Sequence, residues 1–445
     1  MSNLKVVVVG GGSVKWGPRF LNDFTLMPEM KDGEVVLLDL DKEAAGKIKR
    51  LGEKMKKARG HNLSIRVTDQ QEIAFKDADF VLISITTGGL RAIEFDLEIP
   101  RKYGIYQTLA DTTGPAGWIR GLRNIPVFMK LAENIEKYSR NAVVINYSNP
   151  LAVLTKTLID SSNLKAVGIC HDLYETREAL LKVLDVEKKD IKINFAGTNH
   201  FFWITDFEVQ GKDGYRLLEE KIEKENNSFT GLVQEAYRDQ PRGRKANVSG
   251  DLYDHTGYLT YIKDIHVSEF LPHYLTRKEL IDKFEIKMYP MDRRKKRKQL
   301  FVNILGQYLS GEREFTENFS GQGAVKIIKA FIDDRKHVDV MNLPNRGQIP
   351  DLPRGAVVET WGVADGADFK PLMATELPPQ IRNLVLPHVI NQNLIVEASL
   401  EGNIEKAFSA LYNDPLCSHL DYADIKQMGN DLIAANKEFL TQFEL

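Results

Sequence analysis

Four consecutive valines, Val6 to Val9, run directly into Gly10-Gly11-Gly12. A run of β-branched residues favours a strand buried on both faces. Glycines just after it allow a tight turn whose backbone N–H groups approach an anion at the N-terminus of the next helix. This strand–turn–helix unit at the head of the chain points to a parallel α/β sheet. The strict G-x-G-x-x-G spacing is not met, because Lys15 stands at its third glycine position.

The first ~200 residues continue the pattern. Short apolar runs at 5–10, 34–38, 64–68, 80–85, 142–146, 165–170 and 192–196 read as strands. They alternate with helical segments such as 42–59 and 123–138, rich in Ala, Leu, Lys and Glu. The expected fold class is α/β, a Rossmann-like doubly wound parallel sheet of the lactate/malate dehydrogenase kind. Beyond residue 198 long helical stretches dominate (215–226, 293–311, 322–333, 403–412, 422–443), with strands expected at 201–209 and 355–363. The expected organisation is therefore a nucleotide-binding domain, 1–198, and a mixed α+β, helix-rich substrate and oligomerisation domain, 199–445.

The second strand ends on Asp39, 29 residues after Gly10. A carboxylate there takes both ribose hydroxyls of NAD and repels the 2′-phosphate of NADP. Gly10, Gly11, Gly12, Ser13 and Asp39 are thus the candidate cofactor residues; a glycine turn without ligand is the plain alternative.

Open parallel sheets bind ligands beyond the carboxyl ends of their strands. Cys170 ends one expected strand and is followed by His171-Asp172; His200 ends the next, in Gly197-Thr-Asn199-His200. A thiolate and an imidazole suit a borderline divalent ion. With two protein ligands the other positions fall to substrate or water, as in a catalytic site. Taken singly, Cys170 reads equally as a small buried hydrophobe. Asn149-Pro150 and the loop Asp111-Thr-Thr-Gly-Pro-Ala-Gly117 add polar groups expected at the same rim.

The balance of 60 Lys+Arg against 62 Asp+Glu excludes a general polyanion binder, so no nucleic-acid partner is expected. The basic run Arg293–Lys298, without interleaved aromatics, reads as a solvated face or an oligomer contact. No uncharged apolar stretch reaches the ~18 residues of a membrane span, and the opening residues are too short for a leader's apolar core. Two cysteines cannot make a disulfide framework, which fits a reducing cytoplasm.

Jointly, Gly10-Gly-Gly-Ser13, Asp111-Thr-Thr-Gly-Pro-Ala-Gly117, Asn149-Pro150, Cys170-His171-Asp172 and Gly197-Thr-Asn-His200 resemble glycoside hydrolase family 4. Asp264-Ile-His-Val-Ser-Glu-Phe-Leu-Pro272 and Asn342-Leu-Pro-Asn-Arg-Gly-Gln348 extend the resemblance into the second domain. It is nearest to the α-galacturonidase branch, although Cys-His-Asp stands where Cys-His-Glu is expected; an α-glucosidase or α-glucuronidase is the alternative within the family. Outside it, an NAD-dependent 2-hydroxy acid dehydrogenase shares the first domain.

The resemblance implies NAD and a divalent metal, Mn2+ foremost, and chemistry unlike that of two-carboxylate glycosidases. Sugar C3 is oxidised, the C2 proton leaves, the glycosidic oxygen is eliminated from C1, water adds, and C3 is reduced again. It implies Cys170 and His200 as metal ligands and Asn149, His171 and Asn199 as sugar contacts. Asp111 or Asp172 is the acid, Tyr258 (over Tyr261) the C2 base, and Asp264 a further catalytic residue with His266 beside it. For a uronate carboxylate, Arg91, Arg120, Arg123 and Arg346 are all candidates. The partners implied are a small carbohydrate and further copies of the chain, as a homodimer or homotetramer.

Overall fold

The computed structural model describes residues 4–240 and 244–445; residues 1–3, part of the opening read as too short for a leader, lie outside it. Its strands are β1 (Lys5–Val9), β2 (Glu34–Leu38), β3 (Ser64–Thr68), β4 (Phe80–Ile83), β5 (Val143–Asn146) and β6 (Lys165–Gly168). There follow β7 (Ile191–Thr198), β8 (Phe201–Val209), β9 (Lys212–Asp213), β10 (His337–Pro344), β11 (Val357–Ala364) and β12 (Phe369–Pro371).

The first six strands lie parallel in the order β3-β2-β1-β4-β5-β6, the order of a dinucleotide-binding sheet. β1 is buried on both sides: Val7 and Val9 join one apolar core, Val6 and Val8 the other. The first core also takes in the helices Gly114–Ser139 and Pro379–Glu401. The second takes in Gly17–Leu26, Lys42–Ala58 and Ala324–Asp333. The fold is thus α/β with a doubly wound, Rossmann-like sheet and a helix-rich remainder, as the valine run and the alternation require.

The same sheet then continues antiparallel as β10-β11-β7-β8-β9. Two late strands sit between two early ones. β10 joins β6 at Asn342↔Gly168, and β11 joins β7 at Glu359↔Gly197. The expected division at 198/199 therefore falls at the turn of the β7–β8 hairpin. At the far end of the chain, the helix Tyr422–Asn436 packs on Gly89–Arg101 and Gly114–Ser139. No described helix is long and apolar enough to cross a membrane.

Candidate active site

The glycine turn has the geometry its sequence demands. Gly10 adopts φ +87°, and a Cβ there would lie 2.4 Å from the Ser84 carbonyl oxygen, so no other residue fits. Gly10 and Gly11 donate to the Leu38 carbonyl, and Gly12 donates to Asp39 Oδ2 at 2.8 Å. Asp39 Oδ1 accepts from Asp41 N at 2.9 Å. The carboxylate thus locks the turn onto the end of β2, and each oxygen keeps a lone pair for a ribose hydroxyl. Ser13 accepts from Trp16 N at 3.2 Å and steadies the entry to the helix Gly17–Leu26.

Beyond the ends of β5, β6 and β7 two overlapping groups of ligand atoms converge. In Cys170, Asp172 and His200, and again in Asp111, His200 and His266, these atoms all lie within 4.8 Å of one another. His200 stands at the hairpin turn with φ +65°, a conformation that side chains such as histidine adopt only where the surroundings impose it. Its Nε2 is 3.3 Å from Asp172 Oδ2, and its Nδ1 is 2.7 Å from the Thr112 hydroxyl. The His266 ring lies 4.1 Å from it, centroid to centroid. Asp111 accepts from Thr112 at 2.8 Å and from Asn149 at 3.3 Å.

The chemistry of this donor set fits a divalent cation. Asp172 Oδ2 is buried without a hydrogen-bond partner, which is costly unless a positive charge faces it. Burial, then Asp172 and Glu359, push the Cys170 thiol well above its ordinary range. It therefore becomes a thiolate only when a cation arrives. Burial opposes ionisation of Asp111 and Asp172, but the two imidazoles outweigh it and hold both carboxyls below the usual range. His266 is driven down to about 3 by burial and by His200, which leaves its ring neutral and able to ligate.

Several expected roles change place. Asp264 does not reach the site: its carboxylate accepts from the backbone N–H groups of Asn247, Val248 and Ser249 and caps the helix Asn247–Thr256. Tyr258 packs edge-on against Tyr215, whereas the fully buried Tyr261 lies face-on to His200, ring centroids 6.3 Å apart. The geometry thus brings Tyr261, not Tyr258, to the cluster. Burial, then Asp172, raise its phenol well above the ordinary value. Asn199 is wholly buried and donates to Glu359 at 3.2 Å, while its Oδ1 is left without a partner. His171 is in neither group of converging ligand atoms and lies against Gly323 and Tyr174.

Of the four arginines, Arg123 is paired with buried Asp96, and Arg91 and Arg346 are exposed. Arg120 is spent on the Asn149 carbonyl at 3.1 Å and the Ala110 carbonyl at 3.4 Å. The basic run is more than a solvated face: Arg294 donates to the carbonyls of Thr108 and Leu109 and braces the Asp111 loop. Buried Glu269 fixes that loop from the other side, accepting from Leu109 N and Ala110 N.

Glu359 is the residue most plainly missed. It accepts from Asn342 at 2.6 Å and from Asn199, tying the two joints of the sheet together beneath Cys170. A glutamate in the middle of the apolar run Ala356–Val363 was the available signal.

Comparison with known proteins shows the family and the fold. The profile of family 4 glycosyl hydrolases matches residues 5–186, and that of the family's C-terminal domain matches residues 195–417. An α-galacturonidase of Thermoanaerobacter italicus is 33% identical over 99% of this chain and 98% of its own. The crystal structure of Bacillus subtilis lplD superposes with a TM-score of 0.87 at 31% identity, covering 97% of this chain and 99% of that one. The Thermotoga maritima 6-phospho-β-glucosidase, determined with manganese, NAD+ and glucose-6-phosphate, shares the fold at 21% identity, with a TM-score of 0.78 and 98% and 99% coverage.

Proposed function

The chain belongs to glycosyl hydrolase family 4, and from that premise we propose that it cleaves α-linked galacturonides, as short oligogalacturonates, with NAD and a divalent cation, Mn2+ foremost. The observation that carries this reading is the convergence of Cys170, Asp172, His200, His266 and Asp111 at the rim where the glycine turn also opens. A plain dehydrogenase of hydroxy acids has no use for a buried thiol and two imidazoles set among carboxylates. The α-galacturonide assignment draws on the full-length similarity to the Thermoanaerobacter italicus enzyme.

In this reading Gly10, Gly11, Gly12 and Ser13 receive the pyrophosphate at the start of the helix Gly17–Leu26, and Asp39 receives the ribose hydroxyls. Cys170 and His200 hold the cation, with Asp172 and His266 near enough to complete the set. When bound, the dinucleotide would supply reversible oxidation of the sugar and the cation would supply Lewis acidity.

A ketone at C3 acidifies the C2 proton, and Tyr261 is the group placed to take it. Its phenol is too basic and too buried to ionise unaided, so it would act as a base only with a cation held nearby by Cys170 and His200. Asp111 and Asp172 stay ionised near neutral pH, which suits them to offset positive charge rather than to donate a proton. Thr112 and Asn149 fix the Asp111 carboxylate by donating to its two oxygens, and Asn149 is assigned here to a sugar hydroxyl.

The test is isotopic. Hydrolysis of digalacturonic acid in D2O should yield galacturonate bearing deuterium at C2, because that proton exchanges with solvent at the base. Product without the label would remove deprotonation at C2 from the mechanism.

A further inference from the structure

A cavity of about 340 Å3 opens beside His171, between the helix Asp172–Leu184 and the first residues of β10. It lies at the same rim of the sheet as the cation group, with His171 in its wall and Cys170 next in sequence. Nothing in the chemistry described so far uses it.

Its lining is strongly one-sided in charge. Arg177, Lys188 and Lys326 face it, and none of the three has a carboxylate at ion-pair distance among the described residues. The one acid in the wall, Asp339, is already engaged: Tyr174 donates to its Oδ1, and His337 Nε2 lies 3.0 Å from its Oδ2. Arg177 Nε is buried and has no hydrogen-bond partner. Its guanidinium lies over the Tyr174 ring, 4.7 Å from the centroid.

The second feature is aromatic. Tyr174 and Trp361 stand beside one another in the wall, ring centroids 6.3 Å apart. Trp361 is fixed by donating from Nε1 to the Ile193 carbonyl at 2.7 Å. Aromatic faces offer the apolar side of a sugar ring a surface, and an arginine fork offers its carboxylate a bidentate partner.

We propose that this cavity binds a second uronate unit of the substrate, the sugar adjoining the one that reacts, with its carboxylate on Arg177 and with Lys326 and Lys188 at the rim. The assignment rests on the galacturonide reading, and it explains why a chain of overall charge −2 gathers three unneutralised cations beside its active site.

The test compares two substrates in two variants. Arg177→Ala removes the fork, and Lys326→Glu reverses a charge on an exposed helix face where folding is not at stake. Each should raise KM for digalacturonic acid about tenfold, the loss of one hydrogen bond to a charged group. Turnover of 4-nitrophenyl α-galacturonide, which has one uronate, should stay within about twofold of the parent's. Equal effects on both substrates, or none on either, would overturn the proposal.

Titration of the protein with free galacturonate, followed by NMR, separates this idea from the catalytic one. The cavity predicts a uronate-binding event that Arg177→Ala abolishes and Cys170→Ser leaves intact. If that event is present while galacturonide cleavage is absent, the catalytic reading fails and the binding site stands. If no Arg177-dependent event exists, or inorganic phosphate displaces galacturonate equally well, the uronate site is wrong.

Discussion

Replacing Arg123 by methionine should cost stability rather than substrate recognition. The Arg123 guanidinium donates to both oxygens of Asp96, at 2.7 and 2.6 Å, and neither side chain is exposed to solvent. Its Nε also donates to the Thr87 carbonyl at 3.1 Å. Methionine fills much of the same volume but leaves the Asp96 carboxylate buried and alone, at a cost of about 3–5 kcal/mol. At roughly 1 °C per kcal/mol for a chain of this size, melting should fall by about 3–5 °C in a calorimetric scan. Burial already pushes Asp96 up, with Arg123 opposing it. Without the arginine the carboxyl binds a proton more readily, so the deficit should shrink as pH falls. An added Asp96→Leu change removes the orphaned charge and should restore most of the loss. A variant that melts within about 1 °C of the parent but loses turnover of a uronide selectively would refute this account and make Arg123 a substrate ligand.

Other outcomes follow from the same geometry. Cys170→Ser should weaken Mn2+ binding by at least about tenfold while NAD binding, followed by fluorescence, stays within about twofold; unchanged metal affinity would remove Cys170 from the ligand set. Because the free thiol is held protonated, Mn2+ binding to the parent should release a proton in weakly buffered solution, and Cys170→Ser should abolish that release. Glu269 is raised to about 7 by burial and by Asp111, so the folded state binds its proton more tightly than the unfolded chain does. Stability should therefore fall as pH rises from about 4.5 to 7, and Glu269→Gln, which keeps Oε1 as acceptor, should flatten that part of the melting profile. Gly10→Ala forces a Cβ against the Ser84 carbonyl at positive φ; it should cost about 1–3 kcal/mol and abolish NAD binding.

Where a segment's structure is set by its own residues, the sequence was readable. The expected spans of β2, β3 and β8 match the structure residue for residue, because Val, Leu and Phe crowd β2 and β8 and Ile65 and Val67 alternate with polar residues in β3. β10 went unread: Asp339 and Asn342 interrupt its apolar pattern, and both are there to serve the pockets and the joint with β6. The helix Pro379–Glu401 was hidden by Pro387 in its interior and apolar residues spread around its circumference.

The site divides in the same way. Cys170, His200 and Asn149 follow strand ends, positions that an α/β sheet marks in advance, whereas Asp111, in the loop between the helices Gly89–Arg101 and Gly114–Ser139, was marked by its turn-rich sequence. Asp264 and Tyr261 depend on packing across the second half of the chain. Asp264 caps a helix that begins 17 residues before it, and the buried Tyr261 adjoins a bridge between Thr260 and Trp203, 57 residues apart in sequence. No local spacing distinguishes Tyr261 from Tyr258.

The central claim is that redox and metal chemistry at one rim of the sheet breaks a glycosidic bond. The most direct measurement is incubation of the protein with digalacturonic acid, NAD+, Mn2+ and a reducing thiol, omitting one component at a time. The account predicts free galacturonate without net accumulation of NADH, lost when either NAD+ or metal is left out. NADH formed in step with substrate while the glycosidic bond remains intact would contradict it and make the protein a dehydrogenase.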